Sequence, residues 1–349
     1  MNLRDLRKEH YENTDILVDS IQRREIAFKT DKGKWWRANH FTSVENLREF
    51  LVARKGVSSV YASSARYLDP NVFAPSARGL IEAELIIDVD IKPEGNRLDW
   101  LFDVCFKTKR ITDILESELG ISKDIMTLDF SGGKGFHITI KDSEYTSLTK
   151  QERQHLYQYL TGFKVSASTL EVAKGGWGGR FKRHLASLFG MLSDDKKSNE
   201  SVLLALGLAK TTAKKISDLA SDPTNRKDLT QGRLKVLSNK EVDALKNHFL
   251  KNEKELYECV DGLVIANLNG ILRLPGTIHG GSGFVSVRLE IDDLDYPERI
   301  IEKIKNAGGL DEVEILLIET ATEDFDRVKI WESGSHTVPR WLALHLLHQ

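Results

Sequence analysis

Asp88 and Asp90 stand two residues apart in Glu84-Leu85-Ile86-Ile87-Asp88-Val89-Asp90-Ile91, a run whose alternation predicts a β-strand. Side chains in a strand repeat every second residue, so both carboxylates leave the same face. Adjacent carboxylates on an apolar strand repel each other, and a hard divalent cation between them removes that cost. Mg²⁺ or Mn²⁺ suits such an all-oxygen site. A polar strand end in water has the same local pattern, so the neighbours decide between the two readings.

Two glycine-rich turns supply neighbours. Ser131-Gly132-Gly133-Lys134-Gly135-Phe136-His137 gathers a hydroxyl, an ammonium, an imidazole and several backbone N–H groups in one turn, a set that holds phosphate oxygens. Glycine there allows unusual backbone angles and close approach of another group. The GxxxxGK[ST] spacing is absent and a strand follows, so this is not a Walker loop. An ordinary hairpin turn with a surface lysine accounts for it equally well. A second turn, Gly276-Thr277-Ile278-His279-Gly280-Gly281-Ser282-Gly283, repeats the pattern with Arg273 and His279 beside it. Asp261 precedes the apolar run Leu263 to Ala266 and reads as a turn residue opening a strand.

These groups need elements to hold them. Residues 1 to about 22 read as a helix; Arg24 to Phe28 reads as a strand returned by Lys32-Gly33 through Trp35-Trp36-Arg37. Ser43 is placed to cap a helix from Val44, and Val57 to Tyr61 is a further strand. Arg66 falls in a Ser-rich loop. Leu98 to Leu119 is helical, and Ile125 to Phe130 and Phe136 to Ile140 are the strands either side of the first glycine turn. Residues 151 to about 253 have helical periodicity, interrupted at Gly175-Gly176-Trp177-Gly178-Gly179, and a local excess of Lys and Arg. Solvated helices and a face that tracks a nucleic-acid backbone both fit that excess. Val285 to Leu289 and Val313 to Ile318 are strands, and a helix from Pro339 to His348 ends the chain. This divides the chain into a core of residues 1–162, a mainly helical insertion of 163–253, and a second part of the core at 254–349.

The 349 residues suffice for two domains, with a composition of the soluble globular kind. No apolar run approaches a membrane span, and no signal-peptide core opens the chain. Two cysteines, Cys105 and Cys259, form no cluster, which points to an intracellular chain without a disulfide framework. A formal net charge of −2 excludes a globally basic coat, so any polyanion must meet a local patch.

The strand ELIIDVD, the loop SGGKGFH and the run ILRLPGTIHGGSG occur in the order and with the content of one family. Together they resemble the catalytic small subunit of archaeal and eukaryotic DNA primase, with the archaeal form the nearer. REIAF at 24–28, the Gly-Trp-Gly run around Trp177 and the terminal VPRWLALHLL look like family features too. The resemblance implies an α/β (α+β) fold: a prim-type core of antiparallel and mixed sheets with an RNA-recognition-motif-like unit, carrying a helical subdomain. It also implies primer synthesis from nucleoside triphosphates on a single-stranded DNA template during replication. A primase large subunit is the implied partner in a heterodimer, with no membrane association and a cytoplasmic location.

Matched position by position, Asp88, Asp90 and Asp261 correspond to the metal-binding aspartates, holding two Mg²⁺ or Mn²⁺ ions. Ser131, Lys134 and His137 correspond to the triphosphate loop, Arg273 and His279 to basic positions on the triphosphate, and Glu25 and Arg37 to the lining of the nucleotide pocket. Glu25 and Arg37 also read as a simple cross-strand ion pair. The eukaryotic proteins have two arginines where this chain has Gly133 and Lys134, one positive charge fewer. Relatives carry a zinc knuckle between the acidic strand and the glycine loop. Here Asn96 to Asp129 holds only Cys105 and no histidine, too few ligands, so no structural zinc is expected. A stand-alone primase-polymerase or repair polymerase with the same core is an alternative. A non-catalytic RNA-binding module expects exposed aromatics where this strand has carboxylates, and a metal-dependent nuclease leaves the two phosphate loops unexplained.

Overall fold

The computed structural model describes residues 1–92, 97–323, 325 and 329–349. The fold is mixed α/β, with antiparallel sheets and a large helical fraction. It divides into two compact units, Met1–Tyr157 with Cys259–Gln349, and Gln158–Glu258.

The first unit carries every candidate site residue. It contains two four-stranded sheets. One has the order β2-β1-β3-β9, where β1 is Ile26–Thr30, β2 is Trp35–Asn39, β3 is Val57–Ser63 and β9 is Ile271–Arg273. The other has the order β10-β7-β8-β6, with β6 at Leu85–Asp90, β7 at Met126–Phe130, β8 at Gly135–Ile140 and β10 at Val287–Leu289. Between β3 and β6 lie β4 (Ala65–Tyr67) and β5 (Leu80–Ala83), which pair with each other. All pairings within the two sheets are antiparallel.

Local chemistry accounts for several of these elements. α1 (Leu3–Asn13) starts where the Asn2 side chain accepts from the Asp5 N–H. It stops at Thr14, whose backbone is extended, rather than running on to residue 22. α2 (Val44–Ala53) begins at the Ser43 cap, as its sequence predicts, and buries Leu47 and Leu51. α3 (Arg97–Leu119) is one continuous helix between β6 and β7. Arg66 lies in β4 and not in a loop, because its partner β5 brings Glu82 opposite it. β8 is buried on both faces along its whole length, which places His137 and Thr139 in the interior with Phe136 and Ile138.

The second unit is helical. The run Gly175–Gly179 does not interrupt its helices; Gly176 begins the helix Gly176–Gly190. A Cβ at Gly178 would lie 2.3 Å from the Glu171 carbonyl oxygen, so the glycines let the preceding segment lie against the first helical turn. Inside this unit the Arg180 guanidinium sits over the rings of Trp177 and Tyr257, at 4.7 and 5.3 Å. Among the described residues no helix is long and apolar enough to cross a membrane.

Candidate active site

The paired aspartates leave one face of β6, as the alternation requires. Val89 between them is fully buried, while Asp88 is half-buried and Asp90 reaches solvent at the strand end. Asp261 joins them through backbone pairing on the free edge of β6. Val260 bridges Val89; the Asp90 N–H donates to the Cys259 carbonyl at 2.9 Å, and the Asp261 N–H to the Asp88 carbonyl at 3.0 Å. Three carboxylates from two distant stretches therefore share one end of one strand.

Asp261 does not open a strand. It caps the short helix Gly262–Ala266, its Oδ1 accepting from the N–H groups of Leu263 at 2.7 Å and Val264 at 3.3 Å. The cap fixes the orientation of that carboxylate. Among the described residues no three Asp, Glu, His or Cys side chains are gathered closely enough to hold an ion as they stand. Even so, the donor set suits a hard cation. Asp88 Oδ1 is buried without a hydrogen-bond partner, and His137 Nε2 stands 3.6 Å away. Burial, and then the charge of Asp261, push the Asp88 pKa up to about 7. Asp90 has an exposed surface, yet surrounding atoms displace much of its hydration. That desolvation raises its pKa, and the Asp88 charge raises it further against the pull of His137 and Lys134.

His137 lies opposite Asp88 in β6 and opposite Asp129 in β7, and Asp129 lies opposite Arg288 in β10. Directly opposed residues share a face, so Asp88, His137, Asp129 and Arg288 form one polar row across the whole sheet. Arg288 closes the row with a two-pronged ion pair to Asp129, its Nη2 at 3.3 Å from Oδ2. Burial lowers the His137 pKa, helped by the Arg273 charge and opposed by Asp129 and Asp90, so the ring stays neutral. Asp129 and Arg288 were not singled out by sequence reasoning. Only the β7–β10 register, a pairing across about 160 positions, brings them into line with the site.

The two glycine turns meet. His279 packs on the first turn: a Cβ on Gly132 would come within 2.8 Å of the His279 Cβ, and one on Gly133 within 2.8 Å of its Nε2. Ser282 Oγ donates to the Gly132 carbonyl, and Ser286 Oγ to the Phe130 carbonyl at 2.7 Å. His279 Nδ1 accepts from the N–H groups of Gly281 at 3.1 Å and Ser282 at 3.0 Å, which in the neutral ring puts the proton on Nε2, toward the first turn. Ser131 is buried. Its Oγ accepts from the Gly133 and Gly135 N–H groups, both at 3.3 Å, so it shapes the loop from within. Lys134 alone of that loop projects into solvent, and its carbonyl accepts from Ile91, tying the loop to the end of the acidic strand.

Arg273, at the end of β9, is buried against Tyr61. Its Nη2 donates to the Tyr61 hydroxyl at 2.9 Å, its guanidinium carbon lies 4.7 Å from that ring's centre, and burial lowers its pKa. Glu25 and Arg37 are brought together as an ion pair in which Glu25 is buried and Arg37 is exposed. Glu25 is fully buried and accepts from Arg37 Nε at 2.6 Å and Nη2 at 2.8 Å, from the Ala38 N–H at 2.8 Å and from Arg78 at 2.5 Å. Burial alone would raise its pKa; hydrogen bonds from Arg37 and Arg78 overcome that and hold it at about 2.

A model of the DNA primase small subunit family matches residues 88–291, more than half of the chain. The chain belongs to the DNA primase small subunit family. The match opens on Asp88 and spans Asp261, both glycine turns and all of the second unit. Similar proteins include DNA primase small subunits PriS of three archaea. That of Methanococcoides burtonii is 25% identical, over 89% of this chain and 86% of its own length. That of Methanoregula boonei is 29% identical, over 83% and 81%. That of Methanosarcina acetivorans is 26% identical, over 97% and 92%. Family membership thus extends over almost the full sequence, and the carboxylate cluster and the joined glycine turns both fall inside the matched segment.

Proposed function

We propose that the chain is the catalytic subunit of a primase, joining nucleoside triphosphates on a single-stranded DNA template to make short primers for replication. The observation that carries this reading is the meeting of Asp88, Asp90 and Asp261 at one strand end, beside two glycine turns locked to each other. Nothing in a binding module calls for three mutually repelling carboxylates with one buried oxygen left unpartnered. Asp88 and Asp90, with Asp261 beside them, would hold two divalent ions, Mg²⁺ or Mn²⁺. When bound, such ions lower the pKa of an attacking hydroxyl and neutralise a leaving pyrophosphate.

The chain's own groups do the rest by position and charge. Lys134 offers an ammonium at the mouth of the first turn. His279 directs an N–H donor toward that turn, and Arg273 adds a fixed positive charge close by. His137 stays neutral and faces Asp88, a donor or acceptor without a charge of its own. Ser131 holds the turn in shape, its Oγ accepting from the Gly133 and Gly135 N–H groups. No side-chain nucleophile is required. Glu25, buried, braces the β1–β2 hairpin and holds the exposed Arg37 in place to line the nucleotide pocket. The relatives are named small subunits, so a large subunit is the expected partner in a heterodimer.

The test is a gel of labelled products from single-stranded template, ribo- or deoxynucleoside triphosphates and Mg²⁺ or Mn²⁺, with the chain alone and with a large subunit. A ladder of short products that requires the template and the divalent ion supports the reading. Template binding with no incorporation under any of these conditions contradicts it.

A further inference from the structure

Two clefts on the first unit adjoin and carry a charge that the site chemistry leaves unused. One, of about 410 Å³, is lined by Arg273, His279, Tyr61, Lys29, Arg7 and Asp31, among others. The other, of about 320 Å³, is lined by Arg4, Arg7, Lys8, Arg54, Lys55 and Asp31. They share Leu3, Arg7 and Asp31, so they form one channel that starts at Arg273 and His279 and runs between α1 and the C-terminal end of α2. Seven Lys and Arg side chains line it against the single carboxylate of Asp31, in a chain whose Lys and Arg number 50 against 52 Asp and Glu. That local imbalance is what a polyanion would seek on a protein with no net positive charge.

The cations are available. Asp31 neutralises Arg7 at 2.6 Å, and Glu12 pairs with Lys8 at 3.5 Å on the surface. Among the described residues Arg4, Lys29, Arg54 and Lys55 form no ion pair, and all four are exposed. Aromatic rings stand beside them. Trp35 is 46% exposed and lies 4.9 Å from Tyr61, centre to centre; Arg54 lies over Trp36 at 4.8 Å. A basic track with an exposed ring at its edge is the arrangement that binds single strands without reading sequence: phosphates meet the cations and bases stack on the ring.

We infer that this channel is the path of a single nucleic-acid strand, its phosphodiester backbone held by Arg4, Lys29, Arg54 and Lys55 and a base stacked on Trp35. The path deepens the primase reading and rests on it for its direction, since Arg273 and His279 mark the catalytic end. A triphosphate alone would not use the far end of the channel, where Arg4, Lys8 and Lys55 lie beyond the glycine turns.

The experiment measures binding of a labelled oligo-dT by fluorescence anisotropy across a salt series, with the full chain. It compares wild type, the triple variant Arg4→Gln/Arg54→Gln/Lys55→Gln, and Trp35→Ala, and measures nucleoside triphosphate affinity in parallel. Each phosphate contact contributes about 0.7 to the slope of log affinity against log salt, so the triple variant should lose about 2 from that slope and about tenfold or more in affinity. Trp35→Ala should bind about tenfold more weakly with the slope unchanged. Triphosphate affinity should not move in either. An unaltered slope and affinity in the triple variant overturns the channel. A parallel loss of triphosphate affinity also overturns it, making the cleft an annex of the nucleotide pocket. Absence of triphosphate binding by wild type, with strand binding intact and sensitive to these substitutions, refutes the primase reading and leaves the channel standing.

Discussion

Replacing Gly135 by alanine tests how the active site is built, without touching any charged group. Gly135 opens β8 opposite Asp90. A Cβ there would fall 1.7 Å from the Val89 carbonyl oxygen, 2.8 Å from its carbon and 2.9 Å from Asp90 Oδ1. The first two are backbone atoms of β6, so no rotamer change relieves the clash; the strands must part where the paired aspartates sit. Separation also strains the bonds from Ser131 N–H to the Gly135 carbonyl at 2.9 Å and from Gly135 N–H to Ser131 Oγ at 3.3 Å. Overpacking costs about 1–3 kcal/mol, and each weakened hydrogen bond about 1 kcal/mol, for a total of about 3–5 kcal/mol. At roughly 2–4 °C per kcal/mol for a unit of this size, thermal unfolding followed by circular dichroism should begin about 6–20 °C lower. A displacement of about 1 Å between the carboxylates and the phosphate loop should lower primer synthesis about a hundredfold, in kcat more than in KM. Gly120→Ala is the control. Gly120 has φ +70° and nothing within 4 Å of its added Cβ, so it should cost about 1 kcal/mol of backbone strain and leave synthesis intact. Gly135→Ala with wild-type stability and synthesis would refute the close approach of β8 to the acidic strand.

Other outcomes follow from the same geometry. Glu25→Gln leaves Arg37 and the 1%-exposed Arg78 without a countercharge, and should cost about 3–5 kcal/mol in urea unfolding; a raised nucleotide KM at unchanged stability would return Glu25 to the nucleotide pocket. His10, buried with Nε2 2.8 Å from the Gly276 carbonyl, has its pKa lowered to about 4 by burial, with the Gly276 bond opposing and Arg340 adding. The unfolded chain takes up this proton first, so stability is whole above pH 6.5 and falls as pH drops toward 4, by about 3 kcal/mol in all. His10→Gln should flatten that part of the pH–stability curve, and an unchanged curve would contradict the assignment. Asp88 behaves in the opposite sense. Its pKa stands near 7 folded and 3.8 as a free side chain, so the folded chain holds the proton more tightly and ionisation costs stability as pH rises from about 4 to 7. In chelator at pH 8, Asp88→Asn should therefore melt higher than wild type, with the gap closing by pH 4; a lower melting point at pH 8 would show that the carboxylate is not desolvated.

The parts of the site legible in the sequence were those set by local rules. Period two placed Asp88 and Asp90 on one face, the glycines of 131–137 announced a turn between two strands, and Ser43 announced a helix start. Asp261 was legible as a candidate, but not as a cap, because Asp before an apolar run begins a strand or a helix with equal ease. Its carboxylate chose the two N–H groups of Leu263 and Val264. Gly178 misled for a related reason: a glycine required by the close approach of Glu171 reads, in sequence alone, as a break. The helix Pro297–Gly308 went unread although Pro297 starts it and Ile300, Ile301 and Ile304 bury one face. Asp129 and Arg288 stayed hidden because strand register is a long-range property, and neither residue is unusual in its own neighbourhood.

Primer synthesis by wild type and Asp88→Asn, on single-stranded template with labelled nucleotides and a Mg²⁺ or Mn²⁺ titration, probes the core of this account most directly. Wild type should give short template-dependent products that vanish in chelator, and the variant should give none while keeping its circular dichroism spectrum and a cooperative melting transition no lower than that of wild type. Products from Asp88→Asn at the wild-type rate, or from wild type without a divalent ion, would contradict it.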